Sequence, residues 1–202
     1  MKLKPIEVVN KLNELFPDPK PSLDYNNDFE LLVSILLSAQ TTDKVVNIVT
    51  KDLYFKYPNV YELSKADIKE VENIIKKIGI YHNKSKNIIE LSKMIINDFN
   101  GIIPCTREEL MKLPGVGRKT ANVFLAIYYK QNVMPVDTHI KRCSYKLGIS
   151  KKEDNLLTIE NKLIKFFKGH DLTKIHLQLI YFGRNYCKSK TKDCKILIKH
   201  EK

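Results

Sequence analysis

The 202-residue chain reads as an all-α protein of about ten short helices, and three observations predict it. Apolar residues recur at three- and four-residue intervals through most of the sequence. Strictly alternating apolar and polar runs, and the spacing of a parallel sheet, are absent. Glycine, proline and asparagine fall between the periodic segments, where helices must stop. No fixed-period repeat is present, which argues against a solenoid.

Taken in order, Ile6, Val9, Leu12 and Phe16 share one face of a helix over 6–16, ended by Pro17-Asp18-Pro19. The Pro-, Ser- and Asn-rich loop from Pro21 to Asn27 suits a domain crossing. Residues 28–39, with Leu31, Leu32, Ile35 and Leu36, are apolar over most of a helical circumference, so this helix belongs in the middle of a core. Thr41-Thr42-Asp43 supplies cap residues for a helix carrying Val45, Val46, Ile48, Val49, Leu53 and Tyr54. Ser64-Lys65-Ala66-Asp67 offers a capping pattern before Ile68, Val71, Ile74, Ile75 and Ile78, with Gly79 as the stop. A longer helix over 84–98 carries Ile88, Leu91, Met94 and Ile95 and ends at Asn100-Gly101.

Thr106-Arg107-Glu108-Glu109 has capping-box spacing for a short helix to about Lys112. Leu113-Pro114-Gly115-Val116-Gly117 then turns directly into a second helix over 118–130. Val133-Met134-Pro135 breaks the chain again, and Asp137 can cap a helix holding Ile140, Cys143 and Leu147 that ends at Gly148. Two more helical patterns follow, near 153–168 and 172–185.

The composition, 43% hydrophobic and 29% charged, excludes a disordered chain. A formal net charge of +12 is unusual and suits a polyanionic partner, although all but four of the 35 basic residues are lysine, which also serves as plain solvated surface. No apolar run reaches the length of a membrane span, and the N-terminal residues do not read as a signal peptide. Cysteines at 105, 143, 187 and 194 form no evident disulfide framework, which predicts a reduced, cytoplasmic protein.

The stretch with the most chemistry is the glycine hairpin. The first backbone N–H groups of the helix after it lack intrahelical partners, and they combine with the positive helix pole to attract phosphate. Gly115, Val116, Gly117, Arg118 and Thr120 are therefore candidate DNA contacts. Lys119 stands at the start of this helix. A lysine there is commonly a solvated charge or a phosphate contact, but a neutral lysine amine is also a nucleophile and Schiff-base former.

Asp137 follows 18 positions later. The helix between carries the chain roughly 20 Å away, and residues 131–137 span at most about 25 Å when extended. Asp137 can thus return toward Lys119 only if this segment runs almost straight back. Pro135, Val133 and Val136 suit such a run; on physical grounds alone Asp137 reads as an N-cap.

Leu113 to Ala121, followed by Val136-Asp137-Thr138-His139, resembles the endonuclease III branch of the helix-hairpin-helix DNA glycosylases. Leu36-Leu37-Ser38-Ala39-Gln40, Gly79-Ile80-Tyr81 and Phe182-Gly183-Arg184-Asn185-Tyr186-Cys187 extend the resemblance over most of the chain. It implies two helical domains with a DNA-binding cleft between them: residues 22–132 as the central domain, and 1–21 with 133–202 as the second. It implies Lys119 as the nucleophile at the sugar C1′ of a damaged nucleotide and Asp137 as the group that stabilises positive charge there. Gln40 and Ile80 match positions that fill and wedge the space left by an extruded nucleotide, with isoleucine in place of the more usual leucine. His139 matches a lesion-pocket position, and carbonyls of the hairpin match a monovalent-cation site.

The cysteines depart from the family. Many members carry Cys-x6-Cys-x2-Cys-x5-Cys around a [4Fe–4S] cluster. Cys187 and Cys194 reproduce the first spacing, but Leu197 occupies the third position and the sequence ends at Lys202, before a fourth. Two thiolates fall short of four, so the cluster is expected to be absent; a zinc site on Cys187, Cys194 and His200 is the lesser alternative.

The resulting expectation is a monomeric, DNA-associated glycosylase and AP lyase for oxidised pyrimidines in duplex DNA, needing no organic cofactor and no membrane. A same-fold glycosylase for mismatched or alkylated bases, and a noncatalytic helix-hairpin-helix module, are the alternatives.

Overall fold

In the computed structural model, which describes residues 3–188, the chain forms eleven α-helices and no strand among the described residues. It divides into two compact units, one from residues 21–129 and one from 1–20 with 130–202.

In the central unit the organising element is α2 (Asp28–Leu37). Every residue from Phe29 to Leu37 is buried, as its all-round apolar character requires. The Asn27 side chain caps it by accepting from the Glu30 amide. It packs against α3 (Asp43–Lys56), α6 (Tyr81–Phe99) and α8 (Arg118–Ile127). Leu31, Leu32, Leu53, Ile88, Leu91 and Phe124 are completely enclosed; each burial of this kind stabilises by about 1.5–3 kcal/mol. α4 (Val60–Ser64), capped by Asn59, and α5 (Ile68–Ile75) pack on α6.

Four local expectations are corrected. Asp67, not Ser64, caps α5, accepting from the Lys69 and Glu70 amides, because Ser64 still belongs to α4. α5 ends at Ile75, and Gly79 does not stop it; the left-handed residue beyond it is Ile80, at φ 58°. α4 is an additional helix, five residues long and too short to announce itself by periodicity. The helix after the hairpin ends at Ile127, short of residue 130, with Lys130 left-handed at φ 53°. The predicted stop at Asn100-Gly101 is present, both residues having positive φ.

The terminal unit has its own core, built from Val8 and Leu12 of α1 (Pro5–Leu15), Ile140 and Cys143 of α9 (Thr138–Lys146), Ile159 and Leu163 of α10 (Leu156–Phe166), and Ile175, Leu179 and Phe182 of α11 (Leu172–Asn185). Of the predicted face of α1, Val9 and Leu12 are buried and Phe16 packs against the same core, while Ile6 is half exposed and Val8 is enclosed in addition. Residues 131–137 carry no helix, which leaves them free to run extended.

Candidate active site

The hairpin lies wholly in the central unit. α7 (Arg107–Leu110) is capped by Thr106, whose Oγ1 accepts from the Glu109 amide at 3.3 Å and lies 2.7 Å from Glu109 Oε2, which fulfils the capping spacing. The chain then turns through Leu113, with the Val116 amide donating to Leu113 O at 3.1 Å. Val116 is buried, so its side chain anchors the turn and faces away from solvent. The two glycines do different work. Gly115 holds φ +77°, and a Cβ on it would stand 2.8 Å from Asn87 Nδ2 and 3.1 Å from Leu36 Cδ1. Gly117, the N-cap of α8 at φ −92°, has nothing within 4 Å of where its Cβ would be. The first site therefore needs glycine to fold; the second leaves backbone open to close approach.

The hydrogen-bond ladder of α8 opens with the Ala121 amide donating to Gly117 O at 2.9 Å. Amides ahead of that bond belong to the helix pole. Arg118 and Thr120 are half-buried beside it, and Lys119 is exposed, with its amine reachable from solvent.

In the same unit Gln40 and Ile80 are both exposed and both left-handed, at φ 56° and 58°. For a β-branched residue such as Ile80 this backbone is a true outlier, costing about 1–2 kcal/mol. The two loops adjoin, since a Cβ on Gly79 would lie 3.6 Å from Gln40 O. Lys84, which the sequence did not single out, is buried beneath them and donates to Leu37 O, Ala39 O and Thr41 Oγ1. Burial lowers the pKa of its amine. A signal was available: Lys84 falls on the stripe of Ile88, Leu91 and Ile95, where an apolar residue is expected.

In the terminal unit Asp137 is the N-cap of α9, its Oδ1 accepting from the Ile140 amide at 2.8 Å. Lys119 and Asp137 thus fall in different units, each fixed by its own helix start. His139 lies in the first turn of α9, half-buried, with Nδ1 3.0 Å from Arg142 Nη2. Arginine can only donate, so Nδ1 accepts and the neutral ring carries its proton on Nε2. The same guanidinium donates to Gly183 O at 3.0 Å and, through Nε, to Cys187 O at 2.7 Å, tying α9 to the end of α11.

Among the described residues no three His, Cys, Asp or Glu side chains converge on a metal position. Cys105 is exposed in the central unit and Cys143 is buried in the terminal one. Cys187, just beyond α11, is buried. Cys194, Leu197 and His200, on which the zinc alternative and the third cluster position depend, lie outside the described residues. With leucine at that third position the donor set does not fit a four-thiolate cluster.

Helices α2 to α10, and the glycine hairpin that opens onto a lysine-bearing helix, lie within or overlap residues 33–168, which match the family described as HhH-GPD superfamily base excision DNA repair protein. The chain belongs to that family and is a base-excision DNA glycosylase. It is 44% identical to endonuclease III of Bacillus subtilis (strain 168), covering 96% of this chain and 89% of that one. It is 41% identical to endonuclease III of Rickettsia conorii (strain ATCC VR-613 / Malish 7), covering 94% and 92%. Among solved structures it resembles a trapped endonuclease III–DNA covalent intermediate, the estranged-adenine complex, with a TM-score of 0.89 at 40% identity over 94% of this chain and 90% of that one. A thermostable thymine-DNA glycosylase shares the fold, with a TM-score of 0.78 at 20% identity over 95% of this chain and 91% of that one. No helix among the described residues is long and apolar enough to cross a membrane.

Proposed function

We propose that the chain is a bifunctional DNA glycosylase and AP lyase that removes oxidised pyrimidines from duplex DNA, acting as a monomer. The observation that carries the reading is Lys119, an exposed amine at the start of the helix that follows a glycine hairpin open to a phosphate. The likeness to proteins named endonuclease III, and to a covalent endonuclease III–DNA intermediate, supports it.

In this mechanism the hairpin grips the backbone through Gly115 to Arg118 and Thr120, with the Gly117 approach and the α8 pole favouring a phosphate. The damaged nucleotide leaves the stack, Gln40 and Ile80 fill the space, and His139 offers Nε2–H to the extruded base. Neutral Lys119 attacks C1′ and the C1′–N bond to the base breaks, the base leaving with the bonding pair and a proton. Asp137 stabilises the positive charge at the sugar. Ring opening gives an imine between Lys119 and C1′. Loss of a C2′ proton then expels the 3′ phosphate by cleaving its bond to C3′, and water returns the lysine.

The cysteine set supports a protein working without an iron–sulfur cluster. Backbone carbonyls of 113–117 have the donor chemistry for a monovalent cation, which would add positive charge near the gripped phosphate. The deciding experiment is borohydride trapping on a duplex bearing an oxidised pyrimidine. The unaltered chain is expected to give a covalent adduct, and Lys119→Ala none. An undiminished adduct with Lys119→Ala overturns the mechanism, and a panel of lesion duplexes tests the base preference.

A further inference from the structure

Lys84 is 6% exposed, and no carboxylate pairs with it among the described residues. An ammonium taken out of water is costly unless its donors are met. Here all three are met: Leu37 O at 2.9 Å, Ala39 O, and Thr41 Oγ1 at 3.3 Å. Leu37 O is the last carbonyl of α2 and Ala39 O lies just past its C-cap Ser38, at the end where the helix leaves orphan carbonyls and a negative pole. The α2 end thus supplies the countercharge that no acidic side chain provides.

The consequence is local and specific. The acceptors bracket Gln40, the left-handed residue between Ala39 and Thr41. Through its backbone the same lysine makes a first bond of α6, its amide donating to Ile80 O at 3.2 Å. One residue therefore binds the Gln40 loop with its side chain and the Ile80 loop with its main chain. Both loops hold an exposed non-glycine residue at positive φ, a conformation that persists only where its surroundings enforce it.

We propose that Lys84 is a positioning residue that holds Gln40 and Ile80 in register, so that both enter the duplex together when a nucleotide is extruded. This rests on the reading of Gln40 and Ile80 given above. Lys84 touches no reacting atom; its role is to set the loops that open the stack. Its loss should affect opening the duplex and spare the lysine chemistry that follows.

The test compares two substrates with the full chain and its variants Lys84→Met and Thr41→Val. One substrate is a duplex with an oxidised pyrimidine and 2-aminopurine opposite it, whose fluorescence reports unstacking. The other is a single strand with an abasic site, where no stack must be opened. Lys84→Met, similar in length but without donors, is expected to slow excision from the duplex about tenfold and delay the fluorescence rise. Cleavage of the single strand should stay within about twofold. Thr41→Val removes one acceptor and should lower the duplex-to-single-strand ratio about threefold, which carries the test if Lys84→Met does not fold. An unchanged ratio in the folded variants overturns the positioning role. Failure of the unaltered chain to cleave either substrate overturns the enzymatic reading instead.

Discussion

The side-chain carbon of an alanine at position 183 would stand 2.9 Å from His139 Cβ and 3.1 Å from its Nδ1. Gly183 is therefore the gap in α11 into which the first turn of α9 settles. His139 Cβ is fixed to the α9 backbone and cannot swing away, so Gly183→Ala must push the two helices apart. It would also strain Arg142, which bonds both Gly183 O and His139 Nδ1. Overpacking costs about 1–3 kcal/mol, against about 1 kcal/mol that alanine gains over glycine inside a helix. The variant is expected to melt slightly lower and to show a raised KM for lesion duplexes. Proton–nitrogen correlation spectra of the parent should show the Nε2–H form of His139, and the variant should lose the bond that fixes it.

Asp137 has two separable duties. As an N-cap it accepts from the Ile140 amide, and asparagine caps about as well, whereas alanine loses about 1 kcal/mol. In the proposed chemistry only the carboxylate carries negative charge toward the sugar. Asp137→Asn is expected to melt with the parent but turn over at least about a hundredfold more slowly, with duplex binding retained. Asp137→Ala should show the same kinetic loss plus a melting point lower by about 2–4 °C. Equal turnover for Asp137→Asn and the parent would leave the residue as a cap alone.

These residues also show what the sequence could and could not reveal. The all-round apolar run of α2, the Asn100-Gly101 stop and the Thr106 cap are local patterns with local causes, and each appears in the fold. Gly79 is not the helix stop its residue type suggests, because the left-handed conformation expected of a glycine is taken by Ile80, at φ 58°. Lys84, Arg142 and Gly183 gain their meaning from contacts more than 40 residues away in sequence, except for the local bond to His139. Periodicity could mark Lys84 as out of place on an apolar stripe, but not what it bonds. Asp137 shows the reverse: its cap is legible from the residues and present in the fold, whereas the catalytic role proposed for it rests only on the resemblance.

Cys143 gives a pH-dependent prediction. Its thiol is buried, donating weakly to Leu179 O at 3.9 Å, and burial pushes its pKa from 9.0 up to about 12. A folded-state value above the unfolded one means the stability it contributes is complete below pH 9 and lost as pH rises toward 12. Denaturant unfolding should show falling stability across that window, and Cys143→Ala should flatten the fall. At pH 8 iodoacetamide is expected to label the exposed Cys105 and leave Cys143 unmodified in the folded protein. Labelling of Cys143 at a comparable rate would contradict its burial.

The two hairpin glycines supply the sharpest separation of folding from binding. Gly115→Ala forces a side chain into φ +77° and against Asn87 and Leu36. The left-handed backbone alone costs about 1–2 kcal/mol, so the variant should melt several degrees lower and lose DNA affinity as a consequence. Gly117→Ala meets neither obstacle, since its φ is −92° and the space beside it is open. Alanine caps a helix less well than glycine, so its melting point should fall by no more than about 2–4 °C, yet the new methyl stands where a phosphate would approach the α8 pole. Fluorescence anisotropy over a salt series is expected to show about tenfold weaker binding and a salt dependence shallower by about one phosphate contact. Unaltered binding by Gly117→Ala would move the phosphate grip away from the hairpin, because a small loss of cap stability cannot by itself preserve binding.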